Sequence, residues 1–153
     1  MNKAFLALGV VGVLTYSVPT MPAKAFSNPN TKTVSTENQT RTAGLIHQYN
    51  VSALSSNGKL VIDGYTRCTN TMKSIGYKNI SIEYSTDNAN WKEEKYIGDL
   101  LKSSSSYYYL NDYSVSVKGG YYYRVSLTHY AKESGLFGSS QSVPNTSNSV
   151  WID

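Results

Sequence analysis

In the segment YYYRVSLTHYA, Tyr121, Tyr123, Val125 and Leu127 share one parity, and Tyr122, Arg124, Ser126 and Thr128 share the other. A side-chain period of two marks a strand with one face in a core and one in water, so it commits this part of the chain to a sheet. The pattern recurs in KLVIDGYTRC, where Leu60, Ile62 and Cys68 oppose Lys59, Asp63 and Arg67. It recurs again in YKNISIEYS, where Ile80, Ile82 and Tyr84 oppose Asn79, Ser81 and Glu83, and in YSVSV, where Tyr113, Val115 and Val117 lie on one side. Beyond residue 43 no window carries a helical period, and β-branched residues, tyrosine, serine and asparagine dominate.

Turn chemistry separates these runs. Asn57 and Gly58 form a strong hairpin signal between LIHQYNVSAL and KLVIDGYTRC. STDNAN is a polar turn, Gly119 and Gly120 form another, and KESGLFGSSQSVPNTS reads as a long turn-rich connection before a last strand at NSVWI. WKEEKYIG, with its charged middle, suits a sheet edge, where charge discourages pairing with another molecule. SSSSYYYLND fits either a short strand or an ordered loop. About six to eight short strands in residues 44–153 predict an all-β, antiparallel, two-sheet sandwich, with a small barrel as the alternative because strand spacing does not determine closure.

Ahead of this domain, Lys3 precedes the apolar run AFLALGVVGVLTYSV, followed by PTMPAKA. A basic start, an apolar middle and small residues at Ala23 and Ala25 are the parts of a cleavable secretory signal spanning residues 1–25. The run from Ala4 to Val18 is shorter than the roughly 20 residues a membrane-spanning helix needs. No later stretch is apolar enough to span, and the product is expected to be secreted, free or loosely held at the envelope. Residues 26–43, beginning FSNPNTKTVSTENQTR, hold too few apolar groups to offset the entropy of ordering, and are expected to form a flexible leader.

The chain has 153 residues and one cysteine, Cys68, so its core must hold without an internal disulfide. Removing Lys3 and Lys24 with the signal lowers the formal charge from +4 to +2, because the 14 basic residues become 12 against 10 acids. Charges so nearly balanced and so scattered along the sequence make no electrostatic case for nucleic acid or an anionic membrane.

The order of SSNGKLVIDGYTRC, ISIEYSTDNANWKE, VKGGYYYRVSLTHYAKESGLFGSSQS and SNSVWI resembles a family of small exported proteins of Gram-positive Firmicutes, known as a domain of unknown function. The resemblance implies secretion and an immunoglobulin-like or fibronectin-like sandwich. It brings no activity and no functional residues.

Catalytic patterns are thin. His47 and His129 share parity with apolar neighbours, and no HxH, HExxH or CxxC spacing accompanies them, so no metal and no cofactor is expected. Asp87, Asp99, Asp112 and the pair Glu93 and Glu94 are the acids from which a glycosidase would draw two carboxylates. Glu93 and Glu94 point to opposite faces if extended, which rules them out as a dyad with each other. The serines at 103–106 have no nucleophile-elbow motif and read as loop, while Cys68 reads as a buried, inert thiol.

Tyrosine is the unusual component, with 14 residues including triplets at 107–109 and 121–123. Consecutive strand residues project to opposite faces, so each triplet must expose either its central ring or the two flanking ones. Exposed tyrosine among serine, glycine and asparagine is the composition of adaptable recognition surfaces; cross-strand packing on a half-wet sheet is the plainer explanation, since it needs no partner. One ring of the second triplet also suits the corner hydrogen bond of such sandwiches. The sequence therefore points to a secreted, non-enzymatic binding or adhesion module that contacts a cell-wall glycan or a surface protein through Tyr108, Tyr122, Trp91 or Trp151. A small cell-wall hydrolase using loop carboxylates is the alternative.

Overall fold

A computed structural model describes the backbone of residues 39–40 and the whole of residues 44–153. The expected signal peptide, with Ala23 and Ala25, lies outside the described residues, as does the leader apart from Gln39 and Thr40.

The described residues form strands and connecting turns, with no helix. The strands are β1 (Gln39–Thr40), β2 (Ile46–Ser56), β3 (Lys59–Ser85), β4 (Lys92–Ser116), β5 (Tyr121–Lys132), β6 (Ser140–Thr146) and β7 (Val150–Ile152). All pairings are antiparallel. The pair β3 and β4 is the spine. On its other edge, β3 pairs first with β2, through residues 59–68, and then with β5, through residues 74–85. β5 in turn pairs with β6 and β7.

The expectation of short strands is corrected here. KLVIDGYTRC and YKNISIEYS are two ends of one 27-residue strand, and WKEEKYIG, SSSSYYYLND and YSVSV merge into one of 25 residues. The serines at 103–106 are therefore strand rather than loop. SQSVPNT, read as connection, is strand β6, and Gln39 and Thr40, assigned to the leader, pair with Gln48 and Tyr49.

These long strands are not straight. Between the pairs Arg67 with Tyr107 and Met72 with Ser105, residues 68–71 of β3 stand against Ser106 alone, and the ribbon bends. Two further bulges are each closed by a carboxylate on the opposite strand. Asp112, at φ 50°, donates its N–H to Asp63 Oδ1 at 2.7 Å, and Asn79, at φ 52°, donates its N–H to Asp99 Oδ1 at 2.9 Å. Asn and Asp tolerate this left-handed backbone, so the two bulges sit where the sequence permits them.

The bends curl the sheet until its two halves share one core. Leu60 and Ile62 from the first half of β3 cluster with Ile80, Ile82, Tyr123 and Val125 from the second half and β5. A smaller cluster under the bend holds Ile46, Cys68, Met72, Ile75 and Val143. The curl also brings the edge of β2 that faces away from β3, beyond its short pairing with β1, to the β6–β7 edge. Gln141 Oε1 accepts from Ile46 N at 2.8 Å, while Asn148 accepts from Ala53 N at 3.1 Å and donates to Ala53 O at 2.9 Å. Side-chain amides thus satisfy edge groups that a further strand would otherwise pair.

Most local expectations hold. Asn57 and Gly58, at φ 51° and 69°, make the two-residue turn between β2 and β3. Leu60, Ile62, Tyr123, Val125 and Ile152 are buried, and so is Cys68. Tyr123 makes the anticipated corner bond, its hydroxyl donating to Lys118 O at 2.8 Å. Within the described residues β4 pairs only with β3, which leaves its charged LysGluGluLys stretch on an edge.

Candidate interaction surface

The inward parity of β5 is used up by the core, so Tyr122 and Arg124 face outward. Register then decides their neighbours: Tyr122 lies opposite Trp151 of β7, Arg124 opposite Glu83 of β3, and Glu83 opposite Glu93 of β4. Trp91 arrives from the turn before β4. Asp87 builds that turn, accepting from Asn90 N at 2.8 Å, Asn90 Nδ2 at 2.6 Å, Ala89 N at 3.0 Å and Ser85 Oγ at 2.8 Å. Those donors, led by the Asn90 N–H, hold the Asp87 carboxyl well below the usual carboxylate range.

The result is a continuous strip. The Arg124 guanidinium lies 4.3 Å from the Trp91 ring centroid, and its Nε donates to Glu83 Oε2 at 2.5 Å. The Tyr122 and Trp151 rings meet at 4.9 Å and 67°, and Trp151 Nε1 donates to Asp153 Oδ1 at 2.8 Å. Trp151 is 43% exposed. Each contact contributes about 0.5–1.5 kcal/mol. Their larger effect is to hold the side chains in place beforehand, which lowers the entropy cost of contact with a partner.

A second aromatic patch lies on the outer face of the first half. Arg67 sits 5.0 Å from the Tyr65 ring and 5.2 Å from the Tyr109 ring, Tyr107 and Tyr109 meet at 5.4 Å, and Lys102 Nζ is 4.5 Å from the Tyr107 ring. The triplet at 107–109 resolves with its flanking rings exposed, while Tyr108 turns inward, edge-on to Tyr77 at 5.3 Å and against both core clusters. Burial raises the Tyr108 hydroxyl pKa. Of the four expected contact residues, then, Tyr122 and Trp151 come together, Trp91 lies against Arg124 on the same outer face, and Tyr108 is withdrawn. Sequence reasoning missed Arg124 and Glu83, the pair that lies against Trp91. The shared outward parity of Tyr122 and Arg124 was the available signal.

The remaining chemical candidates are absorbed by the fold. His129 is fully buried, its Nδ1 2.7 Å from Thr66 Oγ1 and its Nε2 3.3 Å from Asn145 Nδ2, between the Tyr49 and Tyr77 rings. Burial pushes its pKa down to about 3 and pushes the Cys68 thiol up to about 11. His47 is half-buried on β2. Asp99 closes a bulge, Asp112 is the bulged residue of another, Glu93 accepts from Ser81 Oγ at 2.8 Å, and Glu94 is exposed on the β4 edge. Ser105 Oγ donates to Tyr107 O at 2.8 Å. Among the described residues no group of three or more His, Cys, Asp or Glu is placed to hold a metal ion, and no helix is long and apolar enough to cross a membrane.

No family model, curated protein or solved structure matches the chain.

Proposed function

We propose that the protein is exported and acts outside the cell as a non-enzymatic binding module, with the strip Trp91–Arg124–Tyr122–Trp151 as its contact surface. The observation that carries this reading is the placing of three aromatic side chains on one outer sheet face, Trp91 against a guanidinium held by Glu83 and Tyr122 against Trp151. Tryptophan, tyrosine and arginine are the residues on which binding energy concentrates in protein interfaces. One face of Trp91 is taken by Arg124, and Tyr122 and Trp151 stand edge to face, so little flat ring surface is left for stacking a sugar. A surface protein fits this face better than a cell-wall glycan.

The all-β architecture is read further as an immunoglobulin-like or fibronectin-like sandwich. The shared core of the two halves and the Tyr123 corner bond support that reading. A hydrolase is the second reading, favoured by one observation: Glu83 and Glu93 face each other in register. Glu83 is tied to Arg124 and Glu93 to Ser81, on an outer face rather than in a cleft, so the binding reading ranks first.

The test is retention of surface-protein and cell-wall fractions on the immobilised exported chain. Trp151→Ala and Arg124→Ala are expected to lower retention from the protein fraction at least about tenfold, with Tyr107→Ala as the comparison on the other face. Equal retention by all variants, or retention of neither fraction, overturns the proposal. Release of soluble fragments from cell-wall polymer, lost in Glu83→Gln, would move the hydrolase ahead.

A further inference from the structure

The connection between β5 and β6 displays the most exposed large apolar side chains among the described residues. Leu136 and Phe137 are each 93% exposed. They are not at the tip of a slack loop. Glu133 N donates to Ser139 O at 2.9 Å, Ser139 N donates to Glu133 Oε2 at 3.3 Å, and Gly138 N donates to Gly135 O at 3.4 Å. Gly135 has φ 102°, and a Cβ on Gly138 would stand 2.7 Å from Glu133 O, so this backbone depends on both glycines. A polar pair would serve a plain turn as well, and leaving leucine and phenylalanine in water forgoes the gain of burying them.

The neighbourhood is basic. The register sets Lys132 of β5 against Ser74 of β3, Ser74 against Ser103 of β4, and Ile75 against Lys102. Lys73, Lys102 and Lys132, scattered along the sequence, are therefore gathered at the sheet end that carries the loop, and all three are exposed. The acid of the loop, Glu133, has its carboxylate turned back to Ser139 N. The expectation that scattered charge makes no case for an anionic membrane was read from chain order alone; tertiary pairing brings these three lysines to one end of the sheet.

We infer that this end of the molecule is an interfacial anchor for an anionic lipid bilayer, with Leu136 and Phe137 entering the boundary between headgroups and acyl chains and Lys73, Lys102 and Lys132 meeting the headgroups. An apolar tip backed by lysines matches the two requirements of reversible surface binding, apolar insertion and attraction to negative lipid. A projecting tip also suits a soft bilayer better than the flat aromatic strip does. The inference does not rest on that strip.

The test is co-sedimentation of the chain from Phe26 to Asp153, which contains every strand and core residue described, with equimolar phosphatidylglycerol and phosphatidylcholine vesicles and with pure phosphatidylcholine vesicles. Wild type is expected to sediment with the anionic vesicles, less so as salt rises from about 0.05 M to about 0.5 M. Replacing both Leu136→Ser and Phe137→Ser is expected to lower partitioning at least about tenfold. Each Lys→Gln change at 73, 102 or 132 is expected to lower it up to roughly fivefold, while Lys95→Gln, at the far end of β4, has a smaller effect. Circular dichroism of each variant confirms that the exposed substitutions leave the fold intact. Wild type remaining in the supernatant, or the double serine variant sedimenting like wild type, overturns the inference and leaves the binding proposal standing.

Discussion

The two outer faces of the sheet use the same materials to different ends. On the second half, Arg124 lies against Trp91 and is neutralised by Glu83. On the first, Arg67 lies between Tyr65 and Tyr109 and donates to the neutral Gln48 at 3.2 Å, with Lys102 over the adjoining Tyr107. No acid among the described residues pairs with Arg67. One face is an aromatic strip whose charge is internally balanced; the other is an aromatic patch that stays cationic. The difference comes from the cross-strand partner: Arg124 stands opposite Glu83, and Arg67 opposite Gln48 and Tyr107.

The comparison exists only because β3 and β4 bend, so the strongest way to break it is to stop the bend. Gly76 lies just past it at φ 149°, and a Cβ there would fall 2.1 Å from Leu100 O. Gly76→Ala is expected to cost more than about 4 kcal/mol, a loss large enough to abolish cooperative unfolding, whereas Gly120→Ala meets nothing within 4 Å and carries only its φ strain of about 1 kcal/mol. Thermal unfolding of the two variants measures both; a cooperative transition in Gly76→Ala near the wild-type midpoint would mean that the ribbon relaxes around the new methyl.

The next effect is on the contact that holds the halves together. His129 meets Thr66 of the first half and Asn145 of β6, and its folded pKa of about 3 lies below the ordinary 6.5. A base with a depressed folded pKa binds fewer protons folded than unfolded, so stability falls as pH drops from about 6.5 toward 3. The slope is on the order of 1.4 kcal/mol per pH unit where the unfolded histidine is fully protonated. Urea unfolding at several pH values should show this slope in wild type and a shallower one in His129→Gln between about pH 6 and pH 4. Parallel slopes would remove His129 as the acid-sensitive link.

The smallest effect sharpens the contrast itself. Glu83→Gln leaves Arg124 uncompensated, making the second face resemble the first, and costs under about 1 kcal/mol because the pair is only partly buried. The unpaired cation beside Trp91 should raise iodide quenching of tryptophan emission by less than about twofold. Unchanged quenching would mean that Arg124 keeps its surroundings without Glu83.

Much of this was legible beforehand. Parity placed Leu60, Ile62, Cys68, Tyr123 and Val125 inside and Tyr122 and Arg124 outside, because alternation reads directly from residue type. Strand ends were not legible, because Asp112 and the serines at 103–106 look like turn or loop residues but lie within β4, and nothing in KLVIDGYTRC or YKNISIEYS signals that β3 continues between them. At Asn79 and Asp112 a positive φ bends a strand instead of ending it, and Asp99 and Asp63 on the opposite strand accept the N–H groups. Asp99 and Asp112, two of the acids read as catalytic candidates, thus also take part in the scaffold. The triplet at 107–109 was open by symmetry, and Tyr77 decided it by receiving Tyr108.

The sequence by itself determined the all-β character and the inward and outward sides of the cleanly alternating runs, since both follow from local periodicity within a few residues. Only the tertiary structure decided which outward residues are neighbours. Arg124 with Trp91 and Glu83, Tyr122 with Trp151, and three distant lysines around Leu136 and Phe137 are products of register and curl. Those are set by long-range pairing along two strands that bend together, which a periodic pattern of side chains does not specify.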